Sequence, residues 1–194
     1  MLLPFVAVRL RTASLVVGVL GLAGLGTASC SSGSLPGASA AARSSQNQNV
    51  SIQLDTSGPG HPDWPQYGPS NITLTKGDQV TLTIVNHDDG PAALPAPITG
   101  YADVQGGTET VDGAPVTSEP NPDVAHTFTA PELGVNVVIP AAPQGGSNTV
   151  VFTFRPTKVG MFTWNCYAPC GTGPNGYDGP MVTGGWMTGK ITVS

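Results

Sequence analysis

Two cysteines, two methionines and one upstream histidine carry the chemistry this chain can offer. Cys166 and Cys170 lie in the stretch Trp164-Asn165-Cys166-Tyr167-Ala168-Pro169-Cys170-Gly171. Met181 and Met187 follow, which puts two thiols and two thioethers within about twenty residues. Phe162, Trp164 and Cys166 share one parity of an alternating run, so Cys166 is expected to leave its strand pointing the same way as its buried neighbours. His126, in a segment running from Asp123 through Pro131 to Val135, adds an imidazole forty residues before Cys166. Soft sulfur donors on a loop between two strands suit copper, and Cu(I) in particular. The competing reading of the cysteines is a disulfide. A Cys-x3-Cys loop is short, however, and closing it gains little from unfolded-state entropy.

At these two segments the chain resembles the copper-binding domain of cytochrome c oxidase subunit II and related cupredoxins. One family motif is Asp-Val-x-His-Ser/Thr followed by Pro-x-Leu-Gly, matched by Asp123, Val124, His126, Thr127, Pro131, Leu133 and Gly134. The other is Cys-x3-Cys-Gly, then His, then Met, and Cys166, Cys170 and Gly171 match its start. The resemblance covers roughly residues 71 to 194, less one insertion. It implies a Greek-key sandwich, a copper cofactor, and His126, Cys166 and Cys170 as ligands. The family's second histidine would fall where this chain reads Gly171-Thr172-Gly173-Pro174, no histidine follows His126, and Ala168 stands where the family keeps an acidic residue. One copper rather than two is therefore expected.

Met187 lies beside the last strand, where single-copper cupredoxins place their axial methionine, and is the first choice for the thioether. Met181 is the alternative, and either could instead fill the core. His87, in Asn86-His87-Asp88-Asp89, could supply the missing imidazole or sit solvated at a strand end. His61, beside Pro62 and Trp64, is a weaker candidate. Nucleophile elbows, phosphate loops and paired-carboxylate signatures do not occur, so no enzymatic activity is expected.

The N-terminus reads as a targeting segment. Arg9 and Arg11 precede an apolar run from Ser14 to Gly26, then Thr27-Ala28-Ser29-Cys30. Residues 1–30 thus resemble a bacterial lipoprotein signal peptide ending at a lipidated Cys30. The resemblance implies a place on the extracytoplasmic face of the cell membrane, held by a lipid anchor, with ordinary secretion and an uncleaved apolar anchor as the alternatives. Removal of residues 1–29 leaves five basic residues against twelve acidic ones, a net charge of −7. Such acidity argues against nucleic acid as a partner. It would suit a basic redox partner, with solvated surface charge as the plainer reading, and a copper-accepting oxidase is the partner implied if the role is delivery.

Residues 31–48, mostly Ser, Gly, Ala, Gln and Asn, read as a flexible tether, and residues 49–194 as one domain. Across the whole chain there are 26 glycines, 19 prolines and only 10% charged residues, which fits a domain built of strands and loops. Apolar alternation marks Val50–Leu54, Ile72–Leu74, Val80–Ile84, Val135–Ile139, Val150–Phe154, Phe162–Trp164 and Ile191–Val193. The fold class is therefore all-β, a Greek-key, cupredoxin-like sandwich of about seven to eight strands. Lys76-Gly77-Asp78 reads as a hairpin turn, and residues 90–122 as a long inserted loop before a His126 loop. The function expected is electron transfer or copper carriage outside the membrane. The alternative is a copper-free structural or binding lipoprotein with a Cys166–Cys170 disulfide.

Overall fold

The structure is a computed structural model, and it describes residues 44–194. Eleven strands form two facing sheets. One sheet holds β1 (Asn47–Asp55), β2 (Gln66–Gly68), β4 (Gln79–Asn86), β9 (Asn148–Phe154), β5 (Thr108–Val111) and β6 (Ala114–Val116), in the order β2-β1-β4-β9-β5-β6. The other holds β3 (Ile72–Leu74), β11 (Thr188–Val193), β10 (Gly160–Asn165), β7 (Val124–Ala130) and β8 (Val135–Pro140), in the order β3-β11-β10-β7-β8. The pairs β1/β4 and β3/β11 are parallel, and the rest are antiparallel. The chain leaves β8 for β9 in the opposite sheet and returns to β10 beside β7, a Greek-key crossing. The all-β sandwich expected from the alternation is present.

Period-2 alternation builds the core. Ile52 and Leu54, Val80, Leu82 and Ile84, Val150 and Phe152, Trp164, and Ile191 point inward and are buried, as side chains two apart on one pleated face must be. Gly189 allows a close approach on β11. A Cβ there would lie 1.9 Å from the Ser70 carbonyl oxygen, which accepts the Trp164 indole N–H at 2.7 Å.

Three expectations change. The Lys76-Gly77-Asp78 turn joins β3 in one sheet to β4 in the other, so it is a sheet-crossing corner and not a hairpin. His126 sits on strand β7 and not on a loop. Every residue of β7 is buried, so the strand shows no polar face for alternation to reveal. Finally, residues 90–122 carry two 3₁₀ turns and the β5–β6 hairpin, which account for part of the excess over eight strands. The hairpin turns through Asp112 (φ 49°) and Gly113 (φ 83°), the positive-φ pair of a two-residue loop.

That segment also explains why β7 and β8 are buried on both faces. Gln105 and Asn136 exchange backbone hydrogen bonds at 3.0 Å, and the Asn136 amide donates to the Tyr101 and Asp103 carbonyls at 2.8 and 2.7 Å. Gly106 is needed there, since a Cβ would lie 2.1 Å from the Gly134 carbonyl oxygen. Glu109 on β5 accepts the Val138 N–H at 3.1 Å, so its side chain ties an edge of one sheet to β8 in the other.

Candidate metal centre

β7 delivers the imidazole. Val124 pairs with Pro140 and His126 with Ile139, so Ala125 is an extra residue, and this bulge shifts the alternation just before His126. Bulges commonly re-aim a side chain beside a functional site. β10 delivers the first thiol. Cys166 follows Asn165 at the strand end, its N–H donates to the Met187 carbonyl at 2.9 Å, and its sulfur accepts the Thr127 N–H at 3.4 Å. The Tyr167 N–H donates to Thr127 Oγ1 at 2.9 Å, a second tie between the cysteine loop and β7.

The rest of the loop brings in two more sulfurs. Gly171 N–H bonds to the Gly176 carbonyl at 2.7 Å, and Thr172 and Asp178 exchange backbone bonds at 3.1 and 3.0 Å. The chain therefore folds back, and a short 3₁₀ turn at Gly179–Met181 sets Met181 against Cys170. Gly171 is required for this approach, because a Cβ there would lie 2.5 Å from Met181 Cγ. Tyr101 from the 90–122 segment packs edge-on against Tyr167 at 4.5 Å, so that segment also covers one side of the cysteine loop.

The donor atoms converge. One each from His126, Cys166 and Cys170 lie within 4.8 Å of one another. Cys166 Sγ is 3.3 Å from Cys170 Sγ and 3.9 Å from His126 Nδ1, and Cys170 Sγ is 3.3 Å from Met181 Sδ. Ligands of one tetrahedral ion with bonds of ~2.0–2.3 Å are spaced by roughly 3.3–3.8 Å. The His126, Cys166 and Cys170 donors could hold a single soft ion, and Met181 Sδ lies beside Cys170 as a further sulfur. His126 and Cys166 are buried, while Cys170 and Met181 are half-buried and form the open side.

The same proximity polarises the ionisable groups. Burial works against charge on His126, but the Asp88 hydrogen bond and the Cys166 sulfur outweigh it, and its pKa rises to about 9. Burial likewise opposes a Cys166 thiolate, yet hydrogen bonds from Cys170 and His126, the imidazolium charge and the Thr127 N–H hold its pKa well below the usual thiol value. Cys170 moves the other way, raised by burial and by its ionised neighbour. These shifts favour a thiolate at Cys166 over one at Cys170 and favour the protonated form of His126. A thiolate is the form that binds a soft metal.

The structure thus brings together His126, Cys166, Cys170 and Met181. Met181, the second choice from the sequence, lies against Cys170 through the Gly171–Asp178 fold-back, whereas Met187 is buried in the core cluster that also includes Cys166 and accepts the Cys166 N–H on its backbone carbonyl. His87 is exposed, with Nε2 3.3 Å from Gln53 Oε1, and is not part of the cluster. His61 stacks on Trp64 at 3.9 Å, with Trp186 edge-on. Cys30 lies outside the described residues. Sequence reasoning missed Asp88, whose Oδ2 is 2.9 Å from His126 Nε2. The only signal was its place in Asn86-His87-Asp88 at the end of β4.

No family model matches the chain, and no curated protein matches it. Among solved structures it is similar to reduced rusticyanin, at 20% identity over 78% of this chain and 82% of that one, with a TM-score of 0.38. Rusticyanin from Thiobacillus ferrooxidans gives 18% identity over 78% and 79%, also with a TM-score of 0.38. The metal binding domain of the Cu(I) exporting P-type ATPase CopA of Streptococcus pneumoniae D39 gives 16% over 77% and 94%, with a TM-score of 0.36. Likenesses at such scores say nothing about chemistry, which rests on the site's own geometry.

Proposed function

We propose that this chain is a cupredoxin-like copper protein that holds one ion through His126 Nδ1, Cys166, Cys170 and Met181. The observation that carries this reading is that one donor atom each from His126, Cys166 and Cys170 lies within 4.8 Å of the others, with Met181 Sδ 3.3 Å from Cys170 Sγ. Three sulfur donors to one nitrogen favour Cu(I) over harder cations. Copper, when bound, would supply a soft one-electron centre. The packed sandwich would hold its ligands nearly fixed, as either electron transfer or metal carriage requires. The sulfur-rich set weighs towards carriage, with a copper-accepting oxidase as one form of acceptor, and towards a carrier rather than an enzyme. Tethering at the extracytoplasmic face through Cys30 belongs to the same proposal and rests on the N-terminal sequence.

The disulfide alternative is less well supported, because Cys166 and Cys170 are not bonded to each other and their sulfurs converge with the His126 imidazole. The test is metal analysis of the reduced protein after desalting. One Cu(I) per chain is expected, abolished in Cys166→Ser and not displaced by zinc. Reduced protein that takes up neither Cu(I) nor Cu(II) overturns the reading. Two coppers per chain would overturn the single-ion form and bring His87 or His61 back as ligands.

A further inference from the structure

Asp88 is held by more contacts than a loop carboxylate needs. Asn86, fully buried at the end of β4, accepts the Asp88 N–H on Oδ1 at 2.9 Å. Its amide donates to the Asp88 carbonyl at 3.2 Å and to the Pro140 carbonyl at 3.0 Å. The Ala142 N–H donates to the Asp88 carbonyl at 2.8 Å. The Gly90 N–H donates to Asp88 Oδ1 at 2.9 Å. The backbone and one carboxylate oxygen are thus pinned, and the other oxygen, Oδ2, meets His126 Nε2 at 2.9 Å.

We propose that Asp88 is the positioning residue of the metal centre, holding the proton on His126 Nε2 so that Nδ1 is the nitrogen offered to the metal. The role rests on the metal-binding reading of the site. A carboxylate only accepts hydrogen bonds, so the ring nitrogen facing it must carry hydrogen. Nδ1 faces the competing Cys166 sulfur at 3.9 Å, a longer and weaker contact than the 2.9 Å one from Nε2 to Asp88, so Nδ1 is the atom left with a lone pair when the ring is neutral. A carboxylate behind a ligating imidazole also strengthens it as a donor, and losing such a partner typically costs ~10–100-fold in metal affinity.

Asp88→Asn inverts this arrangement rather than weakening it. The Gly90 N–H still requires an acceptor, so the introduced carbonyl oxygen stays at the Oδ1 position and the introduced NH2 faces Nε2. An NH2 group donates, which favours the tautomer with hydrogen on Nδ1, the nitrogen the metal needs. The experiment uses the full chain. Ring ¹⁵N spectra of the reduced, metal-free protein are recorded along an alkaline pH series that carries the imidazole to its neutral form, and Cu(I) affinity is measured by chelator competition.

Expected are an Nε2–H ring in the wild type, an Nδ1–H ring in Asp88→Asn, and a ~10–100-fold loss of Cu(I) affinity in the variant. Asp89→Asn makes the same charge change one residue away and should alter neither readout. An Nε2–H ring retained in Asp88→Asn overturns the proposal, as does Cu(I) affinity within about twofold of wild type. An equal loss in Asp89→Asn overturns it too, by reducing Asp88 to bulk charge. Wild-type protein that binds no copper sinks the metal reading instead, and the tautomer switch in metal-free protein keeps the two failures apart.

Discussion

Met181 and Met187 have the same side chain in opposite surroundings, and one pair of substitutions separates binding from packing. Met181 Sδ lies 3.3 Å from Cys170 Sγ on the open side of the cluster, whereas Met187 is fully buried in the core. Leu replaces Met at nearly constant volume, so either change should cost under ~1.5 kcal/mol of stability. Met181→Leu should lower Cu(I) affinity by about tenfold, equivalent to ~1.4 kcal/mol, with thermal stability little changed. Met187→Leu should leave affinity unaltered. Chelator competition alongside thermal denaturation checks both, and a loss of affinity confined to Met187→Leu would restore Met187 as the axial ligand. A sequence could not decide between them. Both follow the cysteines, and only the fold-back that Gly171 permits brings the nearer one to the sulfurs.

At the scale of elements, the strands that alternate were legible and the ones that do not were missed. Val80, Leu82 and Ile84 on β4 and Val150 and Phe152 on β9 announce an inward face because their neighbours meet solvent or a polar rim. β7 gives no such signal. Thr127 and Thr129 are buried in a hydrogen-bonded set with Asn136, covered by residues 101–103, so hydroxyls stand where a one-sided strand would show exposed polar groups. The β5–β6 hairpin did leave a mark, the Asp112-Gly113 pair between short apolar runs, but the Pro- and Gly-rich surroundings hid it. Its Glu109 gives a testable consequence. Burial raises the pKa of this carboxyl to about 8, against some relief from the Val138 N–H and with further upward pressure from Glu119. Because the folded state holds this proton more tightly than the unfolded chain, Glu109's contribution is complete below its ordinary pKa of 4.5 and is lost as pH rises through about 8. Wild-type protein should therefore lose thermal stability between pH 5 and 8, and Glu109→Gln should lose less. Parallel slopes in the two proteins would show that Glu109 does not titrate in that window.

For the whole molecule, anchoring and net charge must be considered together. After Cys30 the chain carries five basic and twelve acidic residues, so electrostatics oppose rather than assist contact with an anionic membrane. Among the described residues no helix is long and apolar enough to cross a bilayer. On this reading membrane attachment falls to the lipid on Cys30. A single acyl chain binds only marginally, so stable attachment needs more than one chain at that residue. Were the anchor to hold the domain outside the cytoplasm, its two thiols would meet oxidants able to join them, and bound copper would protect them. Cys30→Ser should abolish incorporation of labelled fatty acid and release the mature domain from the membrane fraction, or leave the precursor held by its uncleaved apolar segment. Copper uptake by the released domain should be unchanged, because the proposed ligands His126, Cys166 and Cys170 all lie within the mature domain. Labelling that persists in Cys30→Ser would refute the anchor, and so would a wild-type protein recovered wholly in the soluble fraction.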